Sequence, residues 1–242
     1  MPLASTIQRQ RLLRRVWLFS DLGERELACI AEVARERTCR RGEVLVRQGD
    51  SSGDLFSVVQ GRLKVGSVAG DGQEVLFAVL GPGDVFGEIA LLDDEPRSAN
   101  VIAAEPCRLL VVSRASFRPL LHQLPALSVR LLQVMARHVR RLSARTEDAA
   151  ALDVRARLAK ALLALAGRFG APGPGDSVRI TLRLSQQELG RMMGATREMV
   201  NRCLREWTVQ KIIRYSGGVL VIANTHRLMA ITDASRDQSH RR

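Results

Sequence analysis

From Arg40 to Ser113 the apolar residues come only in short runs, and glycine cuts one run from the next. The runs are Glu43-Val44-Leu45-Val46, Leu55-Phe56-Ser57-Val58-Val59, Leu63-Lys64-Val65, Val75-Leu76-Phe77-Ala78-Val79-Leu80 and Leu109-Leu110-Val111-Val112. The breaks are Gly49-Asp50, Gly61, Gly70-Asp71-Gly72 and Gly81-Pro82-Gly83-Asp84. Pieces this short suit strands rather than helices, and Gly/Asp turns at this spacing predict an antiparallel roll or barrel. No long amphipathic helices alternate with the runs, which argues against a parallel doubly wound sheet. The spacing Gly81-x-Gly83-x-x-x-Gly87 misses the dinucleotide-binding fingerprint by one residue and lacks its strand–helix frame.

On either side of this stretch the pattern is helical. A short helix is expected from Gly23 to Arg37. From Phe117 to Leu152 the period is again that of a helix, and Pro125 fits only near its start. Leu132, Met135, Val139, Leu142, Thr146 and Ala149 then recur at alternating steps of three and four, a heptad seam suited to pairing two copies of the chain. Asp153 reads as the N-cap of the next helix, and Gly170 to Asp176 as a loop. A strand over Val178–Leu182 is followed by two helices, Gln186–Met193 and Arg197–Trp207, joined through Gly194-Ala195. A hairpin closes the series, Ile212–Tyr215 and Val219–Ile222 around Ser216-Gly217-Gly218. Helix, turn, helix and hairpin is the layout of a winged helix-turn-helix. The fold class expected is therefore α+β: an antiparallel β-roll over 1–124, a dimerisation helix over 125–152, a winged helix-turn-helix over 153–235 and a disordered tail over 236–242.

Charge separates the same regions. Residues 1–115 hold 15 Lys/Arg against 16 Asp/Glu, residues 116–152 hold 6 against 2, and residues 153–242 hold 16 against 7. The overall net charge of +12 thus sits in the helical C-terminal part, where a polyanion would meet it. Only Lys64, Lys160 and Lys211 are lysines; arginine is the better fork for phosphate and guanine, but the bias runs through the neutral half too, which points to codon usage as its cause. No stretch approaches the ~18 apolar residues of a membrane span, and Val16-Trp17-Leu18-Phe19 is too short for a signal-peptide core. Cys29, Cys39, Cys107 and Cys203 are scattered, which excludes a disulfide scaffold and predicts small buried hydrophobes. The expected location is the cytoplasm.

The run Phe86-Gly87-Glu88-Ile89-Ala90-Leu91-Leu92-Asp93-Asp94-Glu95-Pro96-Arg97-Ser98-Ala99 places a glycine beside a carboxylate, then a short helical turn, then an arginine nine residues after Glu88. Free amides and a forked guanidinium make an anion seat, and Glu88 can accept from a sugar hydroxyl. This run resembles the phosphate-binding cassette of cyclic-nucleotide-binding domains. With Gly42, Gly49, Gly61, Gly83 and the C-terminal winged helix, residues 15–230 resemble the bacterial CRP/FNR regulators. The resemblance implies that Glu88 binds a ribose 2′-hydroxyl, while Arg97, Ser98 and the backbone of Gly87, Glu88, Ile89 and Ala90 hold a cyclic phosphate. The family's purine-contacting Thr-Ser pair falls on Leu142-Ser143, so only Ser143 keeps its hydroxyl. Cyclic AMP is the expected ligand, with cyclic GMP or a cyclic dinucleotide as alternatives.

The second motif is Leu184-Ser185-Gln186-Gln187-Glu188 continuing to Thr196-Arg197-Glu198-Met199-Val200-Asn201-Arg202. Glu198 and Arg202 are four apart and share one helix face, with Arg197 at its edge. Arginine bonds guanine O6 and N7 together and glutamate accepts from cytosine N4, so this face can read a mixed G/C edge in a major groove. It resembles the family's recognition helix. That resemblance assigns base reading to Arg197, Glu198 and Arg202 and phosphate contact to Ser185, Gln187 and Thr196. It also implies a homodimer on double-stranded DNA with a two-fold inverted repeat, and a partner in RNA polymerase; a family member touches the polymerase where Phe169–Ser177 lies here, although the residues differ. The four histidines show no ligand spacing, and neither metal nor catalytic residues are expected. The rival expectations are a DNA-binding module with a silent pocket, and a nucleotide-dependent enzyme subunit, for which residues 153–242 leave no catalytic domain.

Overall fold

The computed structural model describes residues 5–68, 70 and 74–239 and divides the chain into two compact units, 1–139 and 140–242. The first unit opens with α1 (Thr6–Leu13), a single 3-10 turn at Trp17–Phe19 and α2 (Glu24–Val33). Eight strands follow: β1 (Arg35–Cys39), β2 (Val44–Val46), β3 (Leu55–Gln60), β4 (Leu63–Val68), β5 (Glu74–Leu80), β6 (Val85–Phe86), β7 (Asn100–Ala103) and β8 (Cys107–Val112), with α3 (Glu88–Asp93) between β6 and β7. They form two antiparallel sheets, ordered β1-β8-β3-β6 and β2-β7-β4-β5, as the glycine-cut runs predict. The expected turn at Gly70-Asp71-Gly72 lies largely outside the described residues.

One core fills the space between the sheets. Val46, Leu63, Leu80, Val101 and Ala103 meet Cys39, Phe56, Val58, Phe86, Cys107 and Leu109, and the rings of Phe56 and Phe86 stack with centroids 4.7 Å apart. A second core lies on the other face of the first sheet, where Leu55, Leu110 and Val112 meet Leu13, Leu18, Phe19, Leu27, Ile30 and Phe117. Both faces of this sheet are covered, which is why β3 and the Leu109–Val112 run are apolar almost without alternation.

The sequence reading is corrected at the entrance to the roll. A helix was expected to Arg37, but α2 stops at Val33 and Arg35–Cys39 pairs antiparallel with β8. This edge strand is mostly charged (Arg35, Glu36, Arg37), a common device against edge-to-edge pairing, and its composition hides it from pattern reading. Glu36 is tied across the sheet to Arg108 by two 3.0 Å hydrogen bonds.

After β8 come α4 (Arg114–Gln123) and α5 (Pro125–Ala151), the latter starting at the expected proline. α5 carries two apolar stripes. Leu127, Leu131 and Val134 are buried in the second core, and Met135, expected on the seam, packs partly against that same core. Leu132, Val139 and Leu142 remain 62–67% exposed.

The second unit continues with α6 (Val154–Phe169), β9 (Gly170–Pro172), β10 (Val178–Ile180), α7 (Gln186–Met193), α8 (Arg197–Val209), β11 (Ile213–Ser216), β12 (Val219–Ile222) and α9 (Thr225–Ser239). Asp153 caps α6 as expected, its carboxylate accepting from Ala156 N–H at 2.8 Å. The expected loop at 170–176 is corrected in part: Gly170–Pro172 pairs with β10, giving a sheet ordered β11-β12-β10-β9. Trp207, Val200, Leu204, Ile213 and Ile222 form the buried centre. α9 runs to Ser239, so the disorder expected from residue 236 does not begin there; 240–242 lie outside the described residues. No helix among the described residues is long and apolar enough to cross a membrane.

Candidate ligand cassette and nucleic-acid interface

Gly87 turns the chain from β6 into α3 with φ of 88°, a left-handed conformation open to glycine. A side chain here has no room, since a Cβ would lie 2.5 Å from Arg97 Nη1 and 2.5 Å from Asp54 O. The missing Cβ admits the Arg97 guanidinium against the backbone. Arg97 is only 3% exposed. Its Nε donates to Ser52 Oγ at 2.9 Å, Nη1 to Gly87 O at 3.0 Å and Nη2 to Asp54 O at 2.9 Å. A guanidinium has five N–H donors. Three are used, and among the described residues one N–H on each terminal nitrogen has no acceptor, the pair with which arginine forks a phosphate. Burial pushes the Arg97 guanidinium below its ordinary range, and attraction to Asp54 opposes this.

Glu88, the first residue of α3, is 4% exposed. Oε1 lies 3.3 Å from His138 Nδ1 on α5, while Oε2 is buried without a partner. Glu88 and Arg97 form no ion pair among the described residues. Each is held by other groups. Ala90 is buried and Ile89 is 40% exposed; Ala90 O accepts from Arg114 Nη2 at 2.6 Å. Arg114 also bonds Asp94, and Arg118 reaches the same carboxylate, holding it below the usual carboxylate range. Ser98 is exposed beside Arg97, and Ser143 is exposed on α5 in the second unit. Pattern reading missed Ser52, Asp54, Arg114 and His138. The first two lie in the irregular stretch before β3, which carries no motif of its own.

In the second unit, Arg197, Glu198 and Arg202 are all exposed on α8. Ser185 and Thr196 are N-caps: Ser185 Oγ accepts from Glu188 N–H at 3.2 Å, and Thr196 Oγ1 from Met199 N–H at 3.3 Å. Gly194 ends α7 with φ of 61°, the positive value expected at that turn. Gln187 is exposed, and Gln186 ties α7 to Asn201 of α8 at 3.2 Å. Arg155, Arg157 and Arg202 line one hollow beside α8, and Arg155 is paired with Glu206. Cys39, Cys107 and Cys203 are buried as expected, but Cys29 is exposed. Among the described residues no group of three or more His, Cys, Asp or Glu is placed to hold a metal.

Residues 36–123 match the model of the cyclic nucleotide-binding domain, and residues 156–231 that of the Crp-like helix-turn-helix domain. A "CRP-like cAMP-activated global transcriptional regulator" of Mycobacterium tuberculosis is 32% identical over 217 residues, covering 90% of this chain and 96% of that protein. The chain belongs to the CRP/FNR family. The "cAMP-activated global transcriptional regulator CRP" of Salmonella typhimurium is also 32% identical, over 75% of this chain and 86% of its own. FixK2 from Bradyrhizobium japonicum has the same fold, with a TM-score of 0.73 and 24% identity over 82% of this chain and 97% of that one. These CRP/FNR relatives are transcription regulators and not enzymes.

The CRP/FNR cassette residues fit an anionic, hydroxyl-bearing ligand: two spare guanidinium donors, an orphaned carboxylate oxygen and a backbone bared at Gly87. A buried carboxylate with one oxygen unpartnered costs stability. Glu88→Met is therefore expected to stabilise the unliganded protein by about 1 kcal/mol or more, since an apolar group of similar volume removes the buried charge. Urea denaturation of both proteins checks this, and an unchanged or lower midpoint contradicts it.

Proposed function

We propose that this protein is a homodimeric, sequence-specific DNA-binding regulator of the cytoplasm, switched by a cyclic nucleotide, with cyclic AMP as the leading ligand. The carrying observation is the cassette, where Arg97 keeps an unused N–H on each terminal nitrogen and Glu88 Oε2 is buried without a partner. In this reading the cyclic phosphate takes the Arg97 fork, Ser98 and the amides from Gly87 to Ala90, and the ribose 2′-hydroxyl donates to Glu88. Two relatives named as cAMP-activated support the choice of nucleotide. Bound nucleotide acts by binding the DNA-competent state more tightly and shifting the population towards it. RNA polymerase is the further partner proposed.

Calorimetry with cyclic AMP, cyclic GMP and cyclic di-GMP tests the ligand. Arg97→Ala should weaken nucleotide binding at least about ten-fold, the cost of a charge-assisted contact in a shielded seat. Unchanged affinity in a folded variant moves the ligand site elsewhere. No heat with any of the three leaves the rival reading, a DNA-binding module with a silent pocket.

The dimer reading rests on Leu132, Val139 and Leu142, spaced by seven and three along α5 and all exposed. Leu132 and Leu142 replaced together by Asp should give monomers in sedimentation, because charges in such a seam are desolvated without partners. An intact dimer places the interface on another surface.

For DNA, the expected site is an inverted repeat with G/C-bearing half-sites, a TGTGA-like half-site being the starting sequence. Arg202→Ala should cost about 1–3 kcal/mol on the preferred site and flatten discrimination at one base pair per half-site. Ser185→Ala should weaken all sequences nearly equally, since it removes a helix cap and a phosphate contact and neither carries base information. Selection from a DNA library at one fixed salt concentration reads both outcomes. An unchanged sequence preference in Arg202→Ala overturns the assignment of base reading to α8.

A further inference from the structure

Cys39 ends β1 and Cys107 begins β8, and the two are direct partners in the antiparallel register. Residues opposite one another on adjacent antiparallel strands project to the same face, with Cα atoms about 4.5–5.5 Å apart. That spacing lies inside the 4.4–6.8 Å range that a disulfide spans. Both thiols belong to the core between the two sheets, and each residue is 5% exposed. The Cys39 thiol points to Cys107 O at 3.8 Å, and the Cys107 thiol donates to Glu105 O at 3.1 Å and Arg62 O at 3.3 Å. Gly61 closes over this end of β8 so tightly that a Cβ there would lie 2.6 Å from Cys107 Sγ. Neither cysteine has a part in the cassette or in the DNA surface.

We propose that Cys39 and Cys107 form an oxidisable dithiol, closed to a cross-strand disulfide by a small two-electron oxidant of the peroxide class. One thiol gives up its proton, and its thiolate attacks a peroxide oxygen, breaks the O–O bond and becomes a sulfenic acid; the hydroxide released takes up that proton and leaves as water. The second thiol then attacks that sulfur and a second water leaves. Two thiols and one hydrogen peroxide thus give one disulfide and two waters. A small neutral oxidant is required because Gly61 and the two sheets exclude larger ones. Burial raises both thiols, Cys107 to about 11, so the thiolate is scarce at neutral pH and the reaction is slow there. Glu43 adds to the rise at Cys39, and Cys39 and Glu105 add to it at Cys107; the Arg37 charge opposes it at Cys39. The bond would fasten the edge strand β1 to β8, which leads through Ser113 to Arg114, the side chain that holds α3.

The test uses the full-length reduced protein, treated with hydrogen peroxide, alkylated after unfolding and digested with trypsin without reductant. The expected product joins the peptides Thr38–Arg40 and Ser98–Arg108 with loss of two hydrogens. The urea midpoint should rise on oxidation and return with dithiothreitol, because the bond closes a long loop in the unfolded chain. Cys39→Ser and Cys107→Ser, made separately, should each remove the linked peptide and the shift. If peroxide oxidises the exposed Cys29 while Cys39 and Cys107 are recovered alkylated, the proposal fails. It also fails if Cys29 supplies the only disulfide found.

Discussion

A guanidinium buried to 3% exposure must find acceptors for its N–H groups, and much of the β-roll's local geometry serves that need. Arg97 draws on the Ser52–Asp54 turn and on Gly87 O, so it links the loop before β3 to the loop before α3. Its own backbone is clamped as well, Arg97 N–H donating to Asp50 O and Arg97 O accepting from Gly49 N–H, both at 2.9 Å. The glycine at 87 follows from the same requirement, since any Cβ there would collide with the guanidinium. An arginine fixed on three sides aims its remaining donors in one direction. Such preorganisation lowers the ordering cost of binding an anion.

Glu88 is the counterpart with the opposite sign. It is equally buried, yet its charge is met on one oxygen only, by a histidine. Direct neutralisation by Arg97 would have been the cheaper arrangement for the empty fold, and it would have consumed the two groups assigned to the ligand in the proposed function. The cassette therefore holds two charged side chains apart and leaves each incompletely satisfied. This is stability given up at a site for the sake of recognition.

How much was legible in the sequence follows from where the signal is local. Gly49-Asp50, Gly81 to Asp84, Pro125, Asp153 and Gly194 act through their own backbone or first-turn neighbours, and the structure has them at the expected turns and helix ends. β1 and β9 are different. Their strand character comes from pairing, with the distant β8 for one and with β10 across a short loop for the other, and neither carries an apolar alternation. The same holds in the cassette. Gly87, Glu88 and Arg97 form a recognisable run, whereas Ser52, Asp54, Arg114 and His138 join it only in three dimensions. Cys29 shows the limit of residue-type averages, an exposed thiol where burial is the usual state.

α5 carries more apolar surface than its own domain covers. A helix lying on its own domain needs one apolar stripe, and Leu127, Leu131 and Val134 supply it. Leu132, Val139 and Leu142 form a second stripe that stays exposed among the described residues, and exposure of that much leucine and valine at helical spacing is costly in water. Charged residues flank it, Arg137, Arg140 and Arg141 among them, so the stripe is narrow and oriented rather than diffuse. Met135 lies between the two stripes and packs partly on the chain's own core. One stripe packed and one exposed is the pattern on which the proposed dimer rests, since a copy of the same helix would present a matching stripe.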